Sequence, residues 1–373
     1  MRSNEIERAA AKMFVVGFDG TSVTPAVRRL VDRGISGVVL FGRNVESAEQ
    51  VAALCAELKS LANRPFMICV DQEGGRVMRL RDGFTRIPSM RAVGEAGDET
   101  LARGVGEILG RELRAVNIDV DLAPVLDVDT NPKNPVIAHR SLGRDPSTVS
   151  RLGCEIIGGI QSQGVAACAK HFPGHGDTSQ DSHLHLPRLG HAMDRLASVE
   201  LPPFEAAVRA GVAMVMTAHV IFEPLDPTHP ATMSKAVLEG LLRKRLNFDG
   251  VVISDALEMK AIAKHFAVEE VVTRGANAGV DLFAPCEESD LRDQAIDALI
   301  AAAERGDVDT SRMEQSGRRI DALMTRYAKP PAPAGSLLEL LNAQESQRVV
   351  ERILERASDT SQGAPDPTAH RLV

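Results

Sequence analysis

The feature that most restricts the fold is a recurrence. Short apolar or β-branched runs return along the chain, at Met13–Gly17, Gly37–Phe41, Phe66–Val70, Ile118–Leu122, Val165–Ala169, Ala213–Ala218, Val251–Ser254 and Val280–Phe283. Between them lie amphipathic stretches with helical spacing, among them Ala48–Ala62, Glu99–Ala115, Thr148–Gln163, Ala192–Ala210 and Lys235–Lys244. Short runs that are apolar throughout fit parallel strands covered on both faces. Eight of them, most followed by a helix, predict an α/β fold: a single (β/α)8 TIM-type barrel. An open doubly wound sheet is the structural rival, and it usually carries a glycine-rich phosphate turn after its first strand. Gly17-Phe-Asp-Gly20 does not fit that turn, and no Walker A sequence is present. The barrel is assigned to residues 1–328. Lys329-Pro-Pro-Ala-Pro-Ala-Gly335 reads as a Pro-rich linker over 329–335, and 336–373 as a helical tail that becomes disordered. Apolar positions at Leu337, Leu340, Leu341, Val349, Val350, Ile353 and Leu354 suit docking on the barrel or on a partner.

Composition removes several classes of function. The 373 residues hold 43 Lys+Arg against 51 Asp+Glu, a net charge of −8, with 11 Phe, a single Tyr (Tyr327) and no Trp. Nucleic-acid binding wants basic grooves and stacking aromatics, so it is not expected. A long polysaccharide cleft lined by indoles is excluded on the same ground, so any sugar must be held by hydrogen bonds and charge. The amino terminus lacks a signal-like apolar stretch, and no run is long enough to cross a bilayer. Five scattered cysteines (Cys55, Cys69, Cys154, Cys168, Cys286) without a CxxC pair read as reduced thiols in a cytoplasmic protein.

In a barrel of this kind the chemistry sits just past the carboxyl ends of the strands. Asp71-Gln-Glu-Gly-Gly-Arg76-Val-Met-Arg79 follows the third run, and Ala123-Pro-Val-Leu-Asp127 leads from the fourth towards Arg140. His219 follows the sixth run, and Asp255 ends the seventh. The segment after the fifth is the densest: Lys170 to His185 holds four His, two Asp and one Lys. Two chemistries compete for it. His171, His175, His183 and His185, with Asp177 or Asp181, are a possible Zn²⁺ shell. Alternatively Asp181 orients His183 for proton transfer, since a carboxylate on Nδ1–H fixes the tautomer and leaves Nε2 to give or take a proton. A metal-dependent barrel hydrolase usually has His-x-His after its first strand, and no His follows Met13–Gly17. Asp255 is either a helix N-cap or a nucleophile. Beside a His/Asp pair, a carboxylate nucleophile suits a retaining glycosidase. Asp71, Arg79, Arg140, Lys170 and His171 offer donors and acceptors to a sugar, while Glu73 and Arg76 could pair within their own loop.

These motifs closely resemble glycoside hydrolase family 3, in its β-N-acetylglucosaminidase branch. The resemblance is carried by Lys170-His-Phe-Pro-Gly-His-Gly-Asp-Thr-x-x-Asp-Ser-His183-x-x-Leu-Pro187, Asp71-Gln-Glu-Gly-Gly-Arg-Val-x-Arg79, Asn131-Pro-x-Asn-Pro-Val-Ile-x-x-Arg140-Ser and Val252-Ile-Ser-Asp255-x-Leu-x-Met259. It implies Asp255 as nucleophile, His183 as acid/base with Asp181 as its partner, and Asp71, Arg79, Arg140, Lys170 and His171 as ligands of a terminal N-acetylglucosamine. It implies exo-acting, retaining hydrolysis of peptidoglycan fragments, with no metal or organic cofactor. Ala256 stands where an Asp is common in the family. Because a His acid/base carries no negative charge, a phosphorylase working on the same site is the alternative. A metal-dependent hydrolase and a sugar-binding protein without turnover are the more distant readings.

Overall fold

The computed structural model describes residues 3–179, 185–287, 289–332 and 338–358. Eight parallel strands lie side by side in chain order: β1 (Val15–Val16), β2 (Gly37–Leu40), β3 (Met67–Val70), β4 (Val120–Asp121), β5 (Ala166–Phe172), β6 (Met214–Thr217), β7 (Val251–Ala256) and β8 (Leu282–Ala284). A parallel bridge between Phe14 and Phe283 brings the last strand back to the first. The sheet is thus nearly closed as a barrel, as the recurrence predicts. Almost every strand residue is buried, because helices cover the outside and side chains fill the inside.

The helices begin where the chain supplies caps. Thr24 before Pro25, Ser47 before Ala48, Asp98 before Glu99 and Asp145 before Pro146 each accept a backbone N–H of the first turn. The predicted Ala192–Ala210 helix is broken into Met193–Arg195, a wide π-turn at Leu196–Glu200, and Leu201–Arg209. Pro202 and Pro203 have no N–H to return to the carbonyls four residues earlier, so the preceding turn widens. The predicted Ile118–Leu122 strand pairs only at Val120–Asp121. Asp119 uses its carboxylate on the Ile68 N–H at 3.0 Å, and Pro124 ends the run.

Some buried acids serve the barrel floor. Asp119, just before β4, receives Lys59 at 2.7 Å and Arg114 at 3.0 Å. Asp281, just before β8, receives Arg243 at 2.6 Å, the Val252 N–H and the Ser316 hydroxyl. Beyond the barrel, helix Gln344–Leu354 docks on helix Glu99–Ala115, burying Val350 and Ile353. The tail between 338 and 358 therefore rests on the barrel, as one of the two sequence expectations has it. The segment 359–373 lies outside the described residues.

Candidate active site

At the carboxyl ends of the strands a pocket opens, walled by charged groups on one side and apolar groups on the other. Asp71, Arg79, Arg140, Lys170, His171 and Asp255, all singled out in the sequence, line it. Asp181 and His183, the expected acid/base pair, lie outside the described residues, as does Ser182 between them.

The charged wall is a connected ring. The Lys170 ammonium, at the end of β5, donates to Asp71 at 2.7 Å and lies 2.7 Å from Glu73. Arg140 meets Glu73 through two parallel bonds of 2.8 and 2.7 Å, and Arg79 reaches Asp71 at 3.4 Å. Glu73 and Arg76, which could have paired within their own loop, take different partners: Glu73 gathers Arg140 from the loop after β4 and Lys170 from the end of β5, while Arg76 donates to the Val136 carbonyl at 3.0 Å. Burial pushes the Glu73 carboxyl up, but Arg140 and Lys170 overcome it and hold the group below its ordinary range. Burial likewise disfavours the Lys170 ammonium, yet Asp71 and Glu73 raise it above an ordinary lysine. Asp121 in β4 accepts the Gln72 N–H at 3.0 Å, and burial pushes its carboxyl well up, with Gln72 and Lys170 offsetting only part of it.

His171 is set by a residue the sequence did not single out for the site. Asp127, fully buried, binds His171 Nδ1 at 2.7 Å and accepts the His175 backbone N–H at 2.6 Å. With Nδ1 occupied, Nε2 is the nitrogen His171 offers to a ligand. His175 Nδ1 is taken by the Thr178 hydroxyl at 2.8 Å, and burial together with His171 lowers its pKa to about 4. Both histidines therefore have hydrogen-bonding work in the loop. Among the described residues no three His, Cys, Asp or Glu gather as a metal shell.

The nucleophile candidate Asp255 lies in β7, partly buried, and accepts the Ala256 N–H on Oδ1 at 2.8 Å. An apolar side completes the pocket, with Val39, Phe41, Val136, Met216, Met259 and Cys286. Phe41 is the one Phe, Tyr or Trp among the lining residues, and the guanidiniums of Arg43 and Arg79 lie 4.5 and 5.5 Å from its ring centre.

Both flanks of segment 180–184 are tied down. On one side Asn134 donates to the carbonyls of His175 and Gly176 at 2.8 and 3.0 Å, and Asp177 accepts the Thr130 hydroxyl and pairs with His191. On the other, Arg188–Leu189 pairs in parallel with Ile221–Phe222.

The glycosyl hydrolase family 3 N-terminal domain matches residues 7–323, nearly the whole barrel. The chain belongs to glycoside hydrolase family 3. Among curated relatives, a β-hexosaminidase of Thiobacillus denitrificans is 42% identical over 278 residues, covering 73% of this chain and 77% of that protein. One from Neisseria gonorrhoeae is 40% identical over 279 residues, with 73% and 77% covered. Among solved structures, a family 3 β-N-acetylglucosaminidase from Paenibacillus sp. str. FPU-7 superposes with a TM-score of 0.92 at 43% identity, over 94% of this chain and 68% of that one. NagZ of Neisseria gonorrhoeae, solved with N-trifluoroacetyl-D-glucosamine, gives 0.76 at 34% identity, over 92% and 98%. In this family 3 chain, Glu73 and Asp127 are the site residues that local pattern missed. Asp127 stands just past the fourth apolar run, which is the one signal that marks it.

Proposed function

We infer that this glycosidase is a β-N-acetylhexosaminidase that removes terminal β-linked N-acetylglucosamine. One observation carries the reading: the Asp255 carboxylate stands in the same pocket as Asp71, Lys170, Arg140 and His171, with Glu73, off the pocket wall, bridging Lys170 and Arg140. The charged wall supplies fixed donors and acceptors for hydroxyls, with two acids, Asp71 and Glu73, holding three cations, Arg79, Arg140 and Lys170. The apolar lining suits the N-acyl methyl. The names of the relatives and the amino-sugar bound in the NagZ crystal support the same substrate class.

The proposed course is retaining. Asp255 attacks the anomeric carbon while His183, as imidazolium, protonates the leaving oxygen. The C–O bond breaks, and a glycosyl ester forms on Asp255. Neutral His183, oriented by Asp181, then takes a proton from water, which attacks the same carbon and releases the sugar with its configuration kept. The proposed natural aglycone is a peptidoglycan fragment.

The test is release of sugar from an aryl β-N-acetylglucosaminide, with and without phosphate, and from the corresponding glucoside. Hydrolysis independent of phosphate and a strong preference for the N-acetyl substrate are expected. Asp255→Asn should lower kcat by about 10³-fold or more, the scale on which loss of a covalent catalyst is felt. Near-normal turnover of that variant refutes the assignment.

A further inference from the structure

Behind Asp255 runs a chain of hydrogen bonds that the proposed reaction does not use. His219, two residues past β6, is fully buried and is not among the residues lining the pocket. Its Nε2 lies 3.0 Å from the Ala256 carbonyl oxygen, and its Nδ1 lies 2.8 Å from Thr232 Oγ1. Thr232 Oγ1 in turn lies 2.7 Å from Thr217 Oγ1, at the end of β6. All three side chains are at 0% exposure, so no solvent competes for these bonds.

The direction of each proton follows from chemistry. A peptide carbonyl can only accept, so Nε2 carries the hydrogen. Nδ1 must then accept, and Thr232 is its donor. Thr232 Oγ1 also lies 3.3 Å from the Ala218 carbonyl oxygen, but the shorter contact to Nδ1 takes its hydrogen, and Thr217 then donates to Thr232. Burial lowers the His219 pKa, which keeps the ring neutral and Nδ1 able to accept. The array is satisfied from end to end, and only this tautomer satisfies it.

Its terminus is one peptide from the reacting group. Ala256 gives its N–H to Asp255 Oδ1 at 2.8 Å and its C=O to His219. The same oxygen closes the turn to Met259 through a longer bond of 3.3 Å. A methyl side chain gives Ala256 no other polar means of being oriented. We infer that His219, aligned by Thr232 and Thr217, is a positioning residue that holds the Ala256 backbone and through it the carboxylate of Asp255. The inference rests on Asp255 being the nucleophile.

Hydrolysis of an aryl β-N-acetylglucosaminide, with inhibition by N-acetylglucosamine measured alongside, tests it in His219→Leu, His219→Gln, Thr232→Val and Thr232→Ser. Misplacing a reacting group by an ångström costs about 10²-fold, so His219→Leu should lose about that much kcat at unchanged KM and inhibition constant. Gln, whose amide N–H can reach the Ala256 oxygen, should recover most of the loss. Thr232→Val, which strips Nδ1 of its donor, should lower kcat about tenfold, on the scale of a misaligned catalytic group, and Thr232→Ser should match the wild type. Should His219→Leu fail to fold, the Thr232 pair decides the matter alone. Full kcat in Thr232→Val overturns the proposal. So does a parallel weakening of N-acetylglucosamine binding, which a merely structural role produces. Asp255→Asn with normal turnover refutes the nucleophile reading itself. An inactive Asp255→Asn beside normal His219 and Thr232 variants refutes the positioning role alone.

Discussion

At the scale of single residues, the pocket is governed by acids whose partners come from far along the chain. Glu73 stands 67 positions from Arg140, its bidentate partner. Replacing it by Gln leaves Arg140 and Lys170 buried with only part of their counter-charge. The expected cost is about 3–5 kcal/mol, the range for breaking a buried pair from one side. Chemical denaturation checks this, and a loss below about 1 kcal/mol would contradict the ring as described. His175 makes a pH prediction. Its folded pKa of about 4 lies below the ordinary 6.5, so between those values the unfolded chain binds the extra proton. Stability from this group is complete above the ordinary value and is lost as pH falls towards the folded one, by at most about 3 kcal/mol. The unfolding midpoint should fall over that interval, and His175→Gln should flatten the fall. These pairings also mark what the sequence could tell. That Asp71, Arg79, Arg140, Lys170, His171 and Asp255 would meet in one pocket was legible because each lies in a segment at or beyond the carboxyl end of a barrel strand. The choice of Arg140 by Glu73 was not legible, since nothing in the Glu-Gly-Gly-Arg loop favours a distant cation over its own Arg76.

At the scale of elements, periodicity located all eight strands, because a strand buried on both faces must be apolar throughout. It misjudged lengths where side chains or prolines intervene, as at Asp119 and at Pro202–Pro203. The tail after Lys329 was ambiguous for a plain reason: an amphipathic helix declares a face to cover but not what covers it. In the fold that face meets helix Glu99–Ala115. Glu112 accepts the Thr85 N–H at 2.9 Å and the Asn342 N–H at 2.8 Å, joining the loop after β3 to the tail. Arg356 pairs with Asp98, and Arg111 donates to Ser346, both at 2.7 Å. The tail should therefore melt with the barrel. Ile353→Ala, at a fully buried position, should cost about 2–5 kcal/mol in a single transition and leave kcat near the wild-type value. An early separate melting step would mean that the tail folds on its own.

At the scale of the whole molecule, the barrel depends on its seam. Gly17 gives its N–H to the Pro285 carbonyl at 2.9 Å, Arg292 reaches the Gly17 carbonyl at 3.1 Å, and a Cβ at Gly17 would collide with the Cys286 carbonyl. The first and last strand ends meet there, and Cys286 belongs to the pocket, so closure of the fold and completion of the site are one event. The floor carries the molecule's other peculiarity. Tyr327, 2% exposed, lies beside Gly211–Ala213 and Asp249–Val251, the residues entering β6 and β7, at the opposite end of those strands from the pocket. With no Trp in the chain, this one phenol supplies nearly all of the protein's intrinsic fluorescence. Emission should change sharply as the barrel unfolds and stay flat on titration with N-acetylglucosamine. The proposed ligand would thus pass unseen by the protein's own emission, and a Trp introduced at Phe41, on the pocket wall, would give binding a colour of its own.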